Sequence, residues 1–249
     1  MNWRVIEFTR NTGYMNMAID EAICEAVSSS TSPPTIRFYG WDPKCISIGY
    51  FQSIEKEVNL KRSQELGVDF VRRRTGGGAV YHDCEGEITY SLVAPESMFP
   101  KDILQSYRFI CAPIIDSLLK LGLNAEFKPI NDIIVSGKKI SGNAQTRRNG
   151  VLLQHGTVLF SVDVDRMFEV LSVSDEKIRD KLIKSVKDRV TSVSLENSHL
   201  SKDTLYRALL NAFTKDKEFS FDSLSDWEIS RSNHLCQTKY STKEWNFMR

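Results

Sequence analysis

Apolar residues recur near helical spacing over residues 14–28, where Met17, Ile19, Ala22, Ile23 and Val27 share a face, and the pattern predicts an amphipathic helix. A longer helix is predicted over Ile103–Leu121, from Ile110, Ile114, Ile115, Leu118 and Leu119, with Gly122 as its stop. Between them the period shortens. Thr35–Tyr39 and Cys45–Tyr50 alternate or run apolar and are predicted strands around a Trp41-Asp42-Pro43 turn. Val58–Leu66 is predicted as a short helix ended by Gly67, followed by strands at Val68–Val71 and Gly86–Ala94. Further strands are predicted at Ala125–Lys128, Ile133–Val135 and Val151–Phe160, with Lys138-Lys139 opening another. After Val162 helical patterns take over, at 165–172, 175–186 and 202–214. Strands in runs, without strict alternation with helices, predict an α+β fold with a mixed or largely antiparallel sheet and flanking helices. One domain is expected, with a sheet-rich core at 1–162 and a helical part at 163–249.

Three segments interrupt these patterns with chemistry. The first is RRRTGGGAVYHD, Arg72 to Asp83. Gly76-Gly77-Gly78 after a strand allows close approach of backbone N–H groups to an anion, and the arginines add fixed charge suited to phosphate. No GK[ST] ends the run, and it does not fit GxGxxG. A bare glycine run is more often a flexible turn, and His82 alone more often a structural histidine. The second is KPINDIIVSGKKISGNAQTRRNG, Lys128 to Gly150, in which Asp132 at a strand mouth suits Mg²⁺. Strand alternation lets only one of Lys138 and Lys139 face a site; Lys139 is the expected one, with Ser141 on its face and Ile140 opposite. A charged hairpin tip is the plain alternative. In the third, LLQHGTVLF, His155-Gly156 breaks an apolar strand, which marks a bulge or close backbone approach.

These strings, in this order, resemble the lipoate–protein ligase A family, which shares its fold with biotin–protein ligases. MNMAIDEAI, RFYGW…SIGYFQ, DRVTSV and KYSTKEWN also fit, so the resemblance covers nearly the whole chain. It implies an ATP-dependent ligase that forms lipoyl-AMP from lipoic acid with Mg²⁺, then transfers lipoyl to a lysine. The acceptors would be lipoyl domains of 2-oxoacid dehydrogenase E2 subunits or the glycine cleavage H protein. Lys139 is the implied catalytic residue. The implied ATP and adenylate contacts are Arg74, Gly76, Gly77, Gly78, Ala79, Val80, Tyr81, His82, Asn131 and Lys139. The implied lipoate contacts are Arg73, Thr75, His82, Lys139, Ser141, Gly142, His155 and Gly156, and the metal falls to Asp132. Many bacterial members carry a further C-terminal domain; here a separate small accessory subunit is expected in its place. Residues 222–249, with Leu224, Trp227, Leu235, Tyr240, Trp245, Phe247 and Met248, are a candidate docking segment, and packing of the tail onto the core is the equal alternative.

Composition narrows the alternatives. A net charge of +1, from 33 basic and 32 acidic residues, calls for neither nucleic acid nor an anionic membrane. No apolar run approaches a membrane span, and the start lacks a signal-peptide centre, so a cytoplasmic protein is expected. The five cysteines, Cys24, Cys45, Cys84, Cys111 and Cys236, form no CxxC and are expected to be reduced and inert. An octanoyltransferase of the same fold is the nearest alternative. It uses a cysteine thioester, and residues 122–160 contain no cysteine. Gly78 also fits ligases better, since those transferases tend to carry arginine there. A biotin–protein ligase has a different glycine-rich loop, and a non-catalytic lipoyl-carrier binding protein would not need Arg73, Arg74, Asp132 and Lys139 together.

Overall fold

The computed structural model describes residues 2–172 and 176–249. Eleven strands are found among the described residues: β1 Trp3–Asn11, β2 Thr35–Trp41, β3 Cys45–Ile48, β4 Asp69–Arg72, β5 Val80–His82, β6 Glu87–Pro95, β7 Ala125–Lys128, β8 Asp132–Val135, β9 Lys138–Arg148, β10 Val151–Leu159 and β11 Phe219–Phe221. Eight form one sheet in the order β11-β1-β2-β6-β10-β9-β8-β7, and β4-β3-β5 form a second. β1 pairs in parallel with β2 and β11, while the β2-β6-β10-β9-β8-β7 run is antiparallel. The sheet is therefore mixed, as the order of elements predicts.

Period-two alternation gives the large sheet two different faces. Ile88, Tyr90 and Leu92 of β6, with Leu152 and Val158 of β10, pack against helices Ile103–Lys120 and Lys202–Thr214 through Ile110, Ile114, Leu118, Leu205, Leu209 and Phe213. On the other face, Val93 of β6 and Val151 and Leu153 of β10 meet Ile19, Ile23 and Val27 of helix Gly13–Ser28. Thr89, Ser91 and His155 share that face, so the sheet becomes polar where it approaches the small sheet.

Helix Gly13–Ser28 starts where the Thr12 side chain accepts from the Met15 amide. It is not simply amphipathic. Met17, Ala18 and Ala22 fill a second cluster with Tyr39, Trp41, Cys45 and Val71, so the helix lies buried between the two sheets. Asp20 and Glu21 are buried with it.

The sequence pattern misses β1, β5 and β11. β1 begins with four consecutive buried residues and lacks alternation, and β5 and β11 are three residues long. Val58–Leu66 is helical only over Leu60–Glu65. The helix expected at 175–186 is found over Glu176–Arg189; residue 175 lies outside the described residues. Beyond 163, β11 joins the main sheet, and Arg4 of β1 makes a bidentate, buried ion pair with Glu228 at 2.6 and 2.7 Å.

Of the residues expected to form a docking segment, Leu224, Leu235, Tyr240, Trp245 and Phe247 pack onto the body. Trp227 and Met248 stay exposed. The tail is fastened by Arg72, whose guanidinium donates to the carbonyls of Gly49, Tyr50, Gln52, Trp245 and Asn246.

Candidate functional site

A cavity of about 360 Å³ lies between the polar part of the large sheet and the small sheet. Apolar walls come from Met17, Tyr39, Trp41, Met167, Val186 and Val190. A long apolar chain fits such walls. The volume lies within the usual range of small-molecule sites.

Lys139 lines the cavity and places its Nζ 2.7 Å from Asp132 Oδ1. Gly142 makes this possible: a Cβ there would lie 2.8 Å from both Cε and Nζ of Lys139. The register between β8 and β9 shifts at this point, with Ile133 opposite Ser141 and Ile134 opposite Lys139. Ile140 is the extra residue of a β-bulge and is fully buried in the main core. The bulge breaks the alternation that put Ser141 beside Lys139. Ser141 is fully buried and does not line the cavity, whereas Gly142 does.

The glycine loop closes another wall through Gly77, Gly78, Ala79, Val80, Tyr81 and His82. Arg73 holds it: its guanidinium donates to the carbonyls of Gly76 and Gly78 at 2.8 and 2.7 Å, and to Ser47 O and Oγ at 3.0 and 3.1 Å. Burial pulls this guanidinium down to about 10, which still leaves it charged at neutral pH. Arg74, the expected nucleotide-binding arginine, turns the other way. It sits 3.5 Å from Glu21 Oε1 and lines a small separate pocket with Arg148. Consecutive residues leaving a strand point to opposite sides, so only one of the pair reaches the cavity. Gly76 and Thr75 also stand off the cavity wall.

Two histidines are locked. The His82 ring stacks on Trp41, centroids 3.8 Å apart, with Nδ1 2.7 Å from Glu87 Oε1 and Nε2 2.8 Å from Ser47 Oγ. The Glu87 carboxylate only accepts, which assigns a proton to His82 Nδ1. His155 has Nε2 2.7 Å from Thr75 Oγ1 and Nδ1 3.4 Å from Asp20 Oδ2. Burial lowers the His155 pKa against the opposing pull of Asp20, so the ring is neutral. Burial pushes the Asp20 carboxyl up, but the His155 hydrogen bond, the Arg37 guanidinium at 3.0 Å and the Ser91 hydroxyl outweigh it and hold it below the usual range.

Gly156 bears out the expected close approach. A Cβ there would lie 2.1 Å from Asn143 Oδ1, which accepts from Tyr90 Oη at 2.7 Å. Asn143 and Asn131 then clasp each other, side-chain amide to backbone carbonyl in both directions. Of the expected site residues the cavity gathers Arg73, Gly77 to His82, Asn131, Lys139, Gly142, His155 and Gly156, and reaches Asp132 through Lys139. Asp20, Arg37 and Glu87 carry the site from behind, Ser47 lines it, and none of the four was expected. Their signal in the sequence is a charged or polar residue inside an otherwise apolar helix or strand, as in MNMAIDEA and TIRFYGW.

Asp132 is the residue expected to hold Mg²⁺, and its carboxylate is taken up by Lys139. Among the described residues no three His, Cys, Asp or Glu side chains cluster as metal ligands. A single carboxylate, here ion-paired with Lys139, would hold Mg²⁺ only together with phosphate oxygens of a bound substrate. No cysteine lines the cavity either: Cys45 and Cys111 are buried in the packed interior, and burial pushes the Cys111 thiol up to about 12. Among the described residues no helix is long and apolar enough to cross a membrane.

Residues 12–214 match the family described as Lipoyl protein ligase A/B catalytic domain. Octanoyltransferase LipM of Brevibacillus brevis is 35% identical over 99% of both chains, and Octanoyltransferase LipM of Bacillus subtilis is 33% identical over 99% of this chain and 98% of its own. A bi-partite lipoate protein ligase from Thermoplasma acidophilum superposes with a TM-score of 0.88 at 36% identity, covering 99% of this chain and 96% of that one. The curated relatives overturn the expectation of an ATP-dependent ligase: over their whole length they carry an octanoyltransferase name, the alternative that the sequence reading had set second. The sequence misleads here because one family takes in relatives of both kinds, so membership does not choose between them.

Proposed function

Since this chain belongs to the Lipoyl protein ligase A/B catalytic domain family, we propose that it is an octanoyltransferase, moving an octanoyl group from a carrier-protein thioester to a lysine of a lipoyl carrier domain. The observation that carries the reading is the cavity itself, in which apolar walls meet a lysine held by one carboxylate. The octanoyl chain lies among Met17, Trp41 and Met167, and its carbonyl carbon lies near Lys139.

With no thiol on the cavity wall, the acyl group passes directly between carriers. The neutral acceptor amine attacks the thioester carbonyl, the C–N bond forms, the C–S bond breaks, and the amine's proton leaves with the departing thiol. Negative charge gathers on the carbonyl oxygen in the tetrahedral intermediate. The Lys139 ammonium stabilises it, and Asp132 holds that ammonium in position. Arg73 acts at one remove, by fixing the loop that closes the cavity. Lipoyl domains of 2-oxoacid dehydrogenase E2 subunits, or the glycine cleavage H protein, are the acceptors. The accessory subunit was tied to ATP activation and has no part in this reaction.

The test is incubation of the purified chain with octanoyl carrier protein and an unmodified lipoyl domain, without ATP. Mass spectrometry should show the lipoyl domain gaining one octanoyl group. Modification that occurs only from free acid with ATP contradicts the reading.

A further inference from the structure

Behind the glycine loop the chain turns through Gly49, Tyr50 and Phe51. The Tyr50 amide donates to Thr75 O at 2.8 Å, so this turn is stitched to the segment that closes the cavity. Phe51 is 71% exposed and stands edge-to-face on Tyr50. Two guanidiniums flank the rings. Arg148, from the tip of the β9–β10 hairpin, lies 5.1 Å from the Tyr50 centroid; Arg249 lies 5.8 Å from Tyr50 and 5.3 Å from Phe51. Both arginines are exposed, and neither makes an ion pair among the described residues. Glu21, a carboxylate of the same region, is taken by Lys239, Arg74 and Tyr240.

Guanidiniums ordered on aromatic faces without a counter-charge, beside an open phenylalanine, form an interface anchor that is short of its carboxylates. The missing partner is acidic. A second copy of this chain meeting by the same face would bring four uncompensated guanidiniums together, which like-charge repulsion opposes. The reaction proposed above supplies a better occupant, since a folded domain must hold its lysine at the cavity while leaving Lys139 free.

We propose that Phe51, Arg148 and Arg249 form the docking point for the acidic carrier domain that presents the acceptor lysine. The proposal rests on the octanoyl-transfer reading for the partner's identity. Phe51 supplies the apolar contact, and the two arginines supply orientation and on-rate through charge.

The experiment titrates an unmodified lipoyl domain of an E2 subunit into the full chain by calorimetry, for the parent, Phe51→Ala and the double variant Arg148→Gln, Arg249→Gln. The expected result is binding weakened on the order of tenfold in each variant, with a shallower salt dependence in the double variant. Octanoyl transfer from the carrier thioester to hydroxylamine, a small acceptor that needs no docking, should match the parent and shows that the variants are folded. Unchanged lipoyl-domain affinity overturns the proposal. So does a loss confined to the hydroxylamine reaction, which would assign the patch to the acyl donor. If the variants lose lipoyl-domain binding while no form transfers octanoyl at all, the docking surface stands and the transfer reading falls.

Discussion

Lys139 is where residue and chemistry meet most directly. Among the described residues it is the only lysine on the cavity lining, it is ion-paired at 2.7 Å, and a missing Cβ at Gly142 gives it room. Lys139→Ala should lower octanoyl transfer on the order of 100-fold while leaving the melting temperature near that of the parent, because the side chain is only part-buried. Lys138→Ala, off the cavity, should be mild by the same assay. Gly142→Ala puts a methyl where the lysine now lies, so turnover should fall with little change in stability, a split read by kinetics and thermal melts together. The buried Asp20–His155 pair predicts a pH dependence. Both folded-state pKa values are lowered, so the pair's contribution is present above the unfolded values of 3.8 and 6.5 and is lost as pH falls. Stability should therefore drop as pH falls below 6.5 and the His155 share is lost, and His155→Gln should flatten that slope in melts across the range.

Among the elements, the long helices and the antiparallel strands were legible because burial there follows one period per element. So were Lys139, the glycine loop and the His155-Gly156 strand, each carried by a residue type out of place in its pattern. What escaped depends on register or on distant partners. The bulge at Ile140 is one extra residue opposite β8, and no local pattern announces it. The exchange of Arg73 for Arg74 as the cavity arginine turns on which way β4 ends. Parallel pairing of β1 with β2 and β11 brings Trp3 to Phe219, a partner more than 200 residues away. The C-terminal tail shows the same limit: its aromatic residues read equally as a docking surface or as packing, and the choice rests on Arg72, which donates to five backbone carbonyls and ties the tail down. Arg72→Ala should cost roughly 3 kcal/mol or more in denaturant melts, since buried carbonyls lose charged donors together. A change under about 0.5 kcal/mol would mean the tail is held by packing alone.

At the scale of the molecule, fold and activity separate. This chain superposes on a bi-partite lipoate protein ligase from Thermoplasma acidophilum, yet over its whole length it is also similar to octanoyltransferases of Brevibacillus brevis and Bacillus subtilis. The family motifs thus locate the cavity without fixing the acyl donor. In the proposed reaction the group at the carbonyl is Lys139, paired with Asp132, and no cysteine is among the described residues lining the cavity. The most direct measurement of the central claim is single-turnover transfer from octanoyl carrier protein to an unmodified lipoyl domain in ATP-free buffer, followed by intact-protein mass spectrometry. The account predicts one octanoyl group on the lipoyl domain, none on the enzyme, and loss of the reaction in Lys139→Ala. Absence of transfer from the thioester, with modification restored by ATP and a free fatty or lipoic acid, would contradict it.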